Sequence, residues 1–136
     1  MSDRLILIDT SAWINHLTGA SHAPSRAIEE LLQAHRAATN AVVRVELLTG
    51  ARDDTQYAEL DDTLQGLHML NISDVVWRRA ERLRFELKQL GRIIPVPDVL
   101  MAACALVYDC ALLHRDRHFE LIAQRAPLRL HHVRGV

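Results

Sequence analysis

The chain holds 136 residues, 49% of them hydrophobic and 24% charged, the balance of a compact globular domain rather than a disordered or fibrous chain. Sixteen basic residues against seventeen acidic ones leave a net charge of -1, so the molecule as a whole is no electrostatic attractor for nucleic acid. The longest mostly apolar run, Val99 to Tyr108, is about half of the roughly 20 residues that a membrane-spanning helix requires, which argues against a membrane protein.

One domain over residues 1–136 is expected, because a core of this size is self-sufficient and no linker, repeat or low-complexity tract interrupts it. Leu5 to Ile8 is a short, continuously apolar run suited to a strand buried on both faces. Preceded by Asp3 and Arg4, it is too short and too acidic for a secretory signal, so a cytoplasmic setting is expected. A helix over Ser11 to Leu17 follows directly, and Pro24 and Ser25 open an amphipathic stretch with Ile28, Leu31 and Leu32 at helical spacing. Thr39 to Val42 reads as a brief strand before a helix that runs through Leu48 and stops at Gly50.

Asp53 to Leu67 reads as an acidic helix, His68 to Ile72 as a strand, and Ser73 to Leu90 as a long helix capped by Ser73 or Asp74 and stopped by Gly91. Pro95 and Pro97 break regular structure ahead of a buried helix over Val99 to Tyr108. A strand at Ala111 to Leu113, a short helix at Phe119 to Ala123 and a last strand at Leu128 to His131 complete the pattern. Alternating strands and helices imply an α/β domain, a mostly parallel central sheet with helices on both faces. In such sheets ligands bind at the carboxyl ends of the strands. Cys104 and Cys110 fit neither a zinc site nor a disulfide framework by spacing and read as buried thiols.

Asp9 follows the first apolar strand and so stands where an open sheet presents its ligand site, although capping the next helix explains an Asp, Thr or Ser there equally well. Glu46 has Val42 and Val43 on its own helix face, which predicts a partly desolvated carboxylate in need of a cation, a hydrogen bond or a proton. A salt bridge is the plain alternative. Asp98 follows Pro95-Val96-Pro97 and enters the first turn of the apolar helix, a place the helix dipole favours without any function. Asp116, in His114-Arg115-Asp116-Arg117-His118-Phe119, lies just past a strand, where charged loop residues are ordinary.

Taken together the acids are harder to dismiss, since three fall at strand–helix junctions and the fourth on a core-facing helix. Gathered at one sheet end they would repel, and Mg²⁺ or Mn²⁺ would supply the compensating charge with hard oxygen ligands. An acidic set without His or Cys ligands argues against zinc. Other chemistries lack their residues: there is no phosphate-binding G-x-x-x-x-G-K-[ST] or G-x-G-x-x-G loop and no H-E-x-x-H pair. Charge is uneven, with ten acids against five bases in residues 1–62 and seven against eleven in residues 63–136. The densest basic stretch, Arg78, Arg79, Arg82, Arg84, Lys88 and Arg92, reads as a solvated helix face rather than an RNA track, while Arg115 and Arg117 flank Asp116 and are better placed to meet phosphate. Trp13, Trp77 and Phe85 read as core, with a partner interface as the alternative, and His118 reads as a surface residue, with orienting a phosphate or a water as the alternative.

On LILIDTSAWI, VRVELLTGAR, PVPDVLMAACAL and LLHRDRHFELI, in that order, the chain resembles the PIN-domain ribonucleases found as VapC-type toxins of type II toxin–antitoxin modules. The resemblance covers nearly the whole chain and implies a PIN-like three-layer α/β/α domain. It places the family's metal-binding and catalytic acids on Asp9, Glu46, Asp98 and Asp116, with Thr10 and Ser11 as the hydroxyl pair; Arg115 and Arg117 are candidate support by their place beside Asp116 alone. It implies Mg²⁺, or Mn²⁺ as the alternative, an RNA substrate, a cognate VapB-type antitoxin and a homodimer. The rival reading is a catalytically silent PIN-fold module that binds RNA or protein, against which the four intact acids argue. One departure stands out: His114 occupies a position where many such proteins carry Thr or Ser.

Overall fold

A computed structural model describes residues 4–18 and 22–131, so Asp3 lies outside the described residues. The element order is β1 (Ile6–Ile8), α1 (Thr10–Thr18), α2 (His22–Gln33), β2 (Ala37–Thr39), α3 (Ala41–Thr49), α4 (Asp54–Gln65), β3 (His68–Met69), α5 (Asp74–Gln89), α6 (Val96–Val107), β4 (Ala111–Leu113) and α7 (Arg117–Ala123). The strands form one sheet in the order β3-β2-β1-β4, every pairing parallel. β1 is therefore flanked on both sides, and its three residues are all buried, as the unbroken apolar run predicts. With helices covering the sheet, the α/β/α expectation is met.

The order reverses between β1 and β4, the switch point at whose carboxyl ends open α/β sheets form a ligand crevice. Register carries this to the residue level: Ile8 pairs with Leu113, and the N–H of Asp9 donates to the carbonyl of Leu113 at 2.9 Å. The two strands thus end side by side, and the chain leaves each toward the same crevice.

Several boundaries differ from the sequence reading: the third strand is His68–Met69 and not His68–Ile72, α7 starts at Arg117 and not Phe119, and three further differences have a plain physical cause. The second strand is Ala37–Thr39, not Thr39–Val42, because Asn40 caps α3: its side chain accepts from the Val43 N–H at 3.1 Å and turns the β-branched pair Val42-Val43 into helix. Wholly buried Asn40 also donates to the sulfur of Met101 at 3.3 Å, which ties the end of β2 to α6. α6 begins at Val96, since Pro97 falls within the first turn, where its missing N–H costs nothing. The segment 128–131 is not a full strand. Leu130 makes a single parallel bridge to Leu112, held by Leu112 N–H to Arg129 O and His131 N–H to Leu112 O.

The core is one cluster over both faces of the sheet, in which α6 is buried at every position from Val99 to Ala105. Trp13 belongs to it, whereas Trp77 and Phe85 are about half exposed and are not core residues. Gly91 ends the turn after α5 at φ +77°, a left-handed conformation that a side chain would strain. Cys104 and Cys110 are buried and free; burial pushes both thiols up, Cys110 to about 11, so neither is a reactive thiolate.

Candidate metal centre

Asp9 is the first residue beyond β1 and is 95% withdrawn from solvent, its relative exposure being 5%. A buried carboxylate needs compensation, and Ser11 supplies it twice: its N–H donates to Asp9 Oδ2 at 3.0 Å and its hydroxyl at 2.6 Å. The Ser11 oxygen in turn accepts from the backbone N–H of Arg115 at 2.9 Å, linking the loop after β1 to the loop after β4. Asp9 is both cap and site residue, because its carbonyl accepts the first bonds of α1 from Ala12 and Trp13.

Glu46 comes from α3 and is met by Thr10, whose hydroxyl donates to Glu46 Oε1 at 2.6 Å. Its residue is exposed, not partly desolvated as its neighbours in sequence suggest. Of the two valines, Val43 turns fully into the core and Val42 only partly, so the helix face carrying Glu46 looks outward. Adjacent hydroxyls thus serve two acids, Thr10 holding Glu46 and Ser11 holding Asp9.

Asp98 lies in the first turn of α6 with 19% of its side chain exposed. Burial raises its pKa above the usual carboxylate range, the hydrogen bond from His118 works against this, and the negative charges of Asp116 and Asp9 raise it further. Two acids from different strand ends therefore act on a third. Asp116 caps α7, its side chain accepting from the His118 N–H at 2.9 Å.

The sequence reading of His118 as a surface residue does not hold. Its ring donates from Nδ1 to Asp98 Oδ2 at 2.7 Å and stands 3.4 Å from Asp116 Oδ1, with 31% of the side chain exposed. Asp98, Asp116 and His118 each offer one ligand atom, and these atoms all lie within 4.8 Å of one another. The set around the acids thus contains an imidazole, contrary to the expectation of an all-carboxylate cluster. A contact across twenty residues between two helices leaves no local trace in sequence, although the His-Phe pair two residues past Asp116 was visible.

His114 has a definite role. Its Nδ1 accepts the Asp116 N–H at 3.0 Å, the bond that a Thr or Ser oxygen makes to the N–H two residues on in a hydroxyl turn. The ring tilts against Phe119 with centroids 5.2 Å apart, and burial lowers its pKa, which keeps Nδ1 free to accept. Arg115 and Arg117 are exposed on either side of Asp116. The other basic stretch is largely engaged: Arg82 pairs with Glu86, Arg84 donates to the Ile94 carbonyl, and Arg92 to Leu121 O and Gln124.

In donor chemistry the site fits a hard divalent cation. Asp98 and Asp116 bring carboxylate oxygens within 4.8 Å of each other, Asp9 and Glu46 stand outside that group, and the negative charges of Asp116 and Asp9 that raise the Asp98 pKa are what a cation would relieve. The residues that could hold it are Asp9, Glu46, Asp98 and Asp116, with His118 beside the last two.

Comparison with known proteins identifies the family. The family model described as PIN domain matches residues 6–124. The chain is 32% identical over 124 residues to the VapC ribonuclease Mb1587 of Mycobacterium bovis, covering 88% of this chain and 92% of that protein. It is 30% identical over 122 residues to ribonuclease VapC19 of Mycobacterium tuberculosis, covering 89% and 97%. Among solved structures, VapBC2 from Rickettsia felis bound to a promoter DNA fragment superposes with a TM-score of 0.78 at 24% identity, over 93% of this chain and 97% of that one, a likeness of fold. The chain belongs to the PIN domain family, among the VapC ribonucleases.

Proposed function

We propose that this protein is a metal-dependent endoribonuclease, the toxin of a type II toxin–antitoxin pair, with Asp9, Glu46, Asp98 and Asp116 as its metal-binding and catalytic residues. The observation that carries the reading is the gathering of Asp98, Asp116 and His118 within 4.8 Å of one another, beside the paired ends of β1 and β4 that Asp9 and Asp116 follow. A bound Mg²⁺ or Mn²⁺ ion supplies a Lewis acid for the phosphodiester and a water of lowered pKa. The chain's own residues do the rest. Ser11 and Thr10 orient the Asp9 and Glu46 carboxylates, so that their remaining oxygen lone pairs face the site. Asp98, drawn toward the protonated form by burial, gives up that tendency when positive charge arrives. His114 fixes the Asp116 backbone, and exposed Arg115 and Arg117 meet the phosphates of RNA on either side of the scissile bond.

The relatives named as VapC ribonucleases support the RNA substrate, and the solved complexes named VapBC support a VapB-type antitoxin partner. No helix among the described residues is long and apolar enough to cross a membrane, and action in the cytoplasm, where cellular RNA is met, is part of the proposal. A homodimer is proposed through the apolar groove of about 370 Å³ lined by Trp77, Phe85, Val96, Val99 and Leu100 between α5 and α6.

The test is cleavage of a total cellular RNA pool by the purified, antitoxin-free protein, with Mg²⁺ or Mn²⁺ and with EDTA, alongside Asp9→Asn. Cutting that needs the ion and is lost in the variant is expected; full cutting by Asp9→Asn or in EDTA overturns the proposal.

A further inference from the structure

We infer that His118 is a metal ligand, the nitrogen donor of a mixed carboxylate–imidazole half-site with Asp98 and Asp116, and that it biases the centre toward Mn²⁺ over Mg²⁺. The inference rests on the function proposed above and deepens it. Oxygen ligands in cis positions on an ion with bonds of about 2.1 Å stand roughly 3 Å apart. Nδ1 of His118 stands 2.7 Å from Asp98 Oδ2 and 3.4 Å from Asp116 Oδ1, both near that spacing, and the three donor atoms all lie within 4.8 Å of one another.

The ring is also held in place. The His118 N–H is bound by the Asp116 side chain at 2.9 Å, which fixes the backbone that carries the ring to one of its two acid neighbours. The next residue, Phe119, is wholly buried and anchors the first turn of α7 in the core. As a ligand the ring would present a nitrogen lone pair to the ion from the position it already holds beside Asp98 and Asp116.

The choice of ion follows from donor chemistry. Carboxylate oxygen suits Mg²⁺ and Mn²⁺ alike, whereas imidazole is a good ligand for transition ions and a poor one for Mg²⁺. Glu46 and Asp9, held by hydroxyls, supply no such discrimination. A structural role for His118, donating to Asp98 without touching the ion, predicts equal losses for both metals when the ring is removed.

The test uses the full chain loaded with Mn²⁺, read by electron spin-echo envelope modulation for nitrogen coupling, and by calorimetric titration with Mn²⁺ and Mg²⁺ separately. The expected result is a directly coordinated ¹⁴N signal in the wild type that is absent in His118→Gln. The same variant should bind Mn²⁺ on the order of tenfold more weakly and Mg²⁺ nearly as before. His114→Asn is the control for the other nearby ring, and it should keep the signal. Bound Mn²⁺ without nitrogen coupling, or equal losses for the two ions, overturns the ligand role while leaving the proposed function intact. Failure of the wild type to bind either ion overturns both.

Discussion

Ser11→Ala should destabilise the metal-free protein by about 2–3 kcal/mol, although it removes a single oxygen. That oxygen donates to the buried Asp9 carboxylate at 2.6 Å and accepts from the Arg115 N–H at 2.9 Å. A hydrogen bond to a charged group is worth about 1.5–3 kcal/mol and a neutral one about 0.5–1.5. The second lies at the low end here, because Arg115 is exposed and water can replace the lost acceptor. Asp9 keeps the Ser11 N–H at 3.0 Å, which prevents a larger loss. For a domain of this length each kcal/mol moves the melting temperature by about 4 °C, so a fall of about 8–12 °C is expected. Urea unfolding in EDTA measures it, with Asp9→Ala and the double variant completing a cycle that isolates the pair. A loss within 0.5 kcal/mol of zero, or additive single effects, would refute the claim that Ser11 compensates a buried charge.

Thr10→Val removes the hydroxyl that meets exposed Glu46, so stability should change by less than about 1 kcal/mol while Mn²⁺ affinity falls about tenfold; calorimetry and urea unfolding together separate the two. Asp98 has a raised native pKa, so its favourable contribution is present below the unfolded value of 3.8 and is lost as pH rises through the native one. Metal-free Asp98→Asn should therefore melt higher than wild type at pH 7, the gain disappearing toward pH 4; an equal or lower melting point at pH 7 contradicts the assignment. Arg115→Ala and Arg117→Ala should raise KM for RNA severalfold and weaken its salt dependence, leaving kcat and melting temperature unchanged, because both side chains are exposed.

Sequence placed the elements that carry the candidate acids better than it placed their boundaries, and the reasons are physical. β1 and its trailing Asp9 were legible because a strand buried on both faces writes itself as an unbroken apolar run that ends where the first charge appears. Asp98 was legible because a buried helix leaves few places for an acid except its first turn. The start of α3 was not, since Val42 and Val43 favour strand by themselves, and the deciding contact is the Asn40 side chain on the Val43 N–H. Glu46 was placed on the right helix but with the wrong burial, because periodicity gives a face and not how far that face is covered. The His118 ring was missed for a different reason. Its partner Asp98 lies on another helix, and only the packing of α7 against α6 across the β4 connection brings the two together.

The central claim is that four carboxylates act as one metal centre. Titration of Mn²⁺ into the metal-free protein and into Asp9→Asn, Glu46→Gln, Asp98→Asn and Asp116→Asn tests it most directly. The account predicts tight binding by the wild type and a loss of at least about tenfold in each variant, all four remaining folded. Wild-type affinity in two or more of the variants would contradict it.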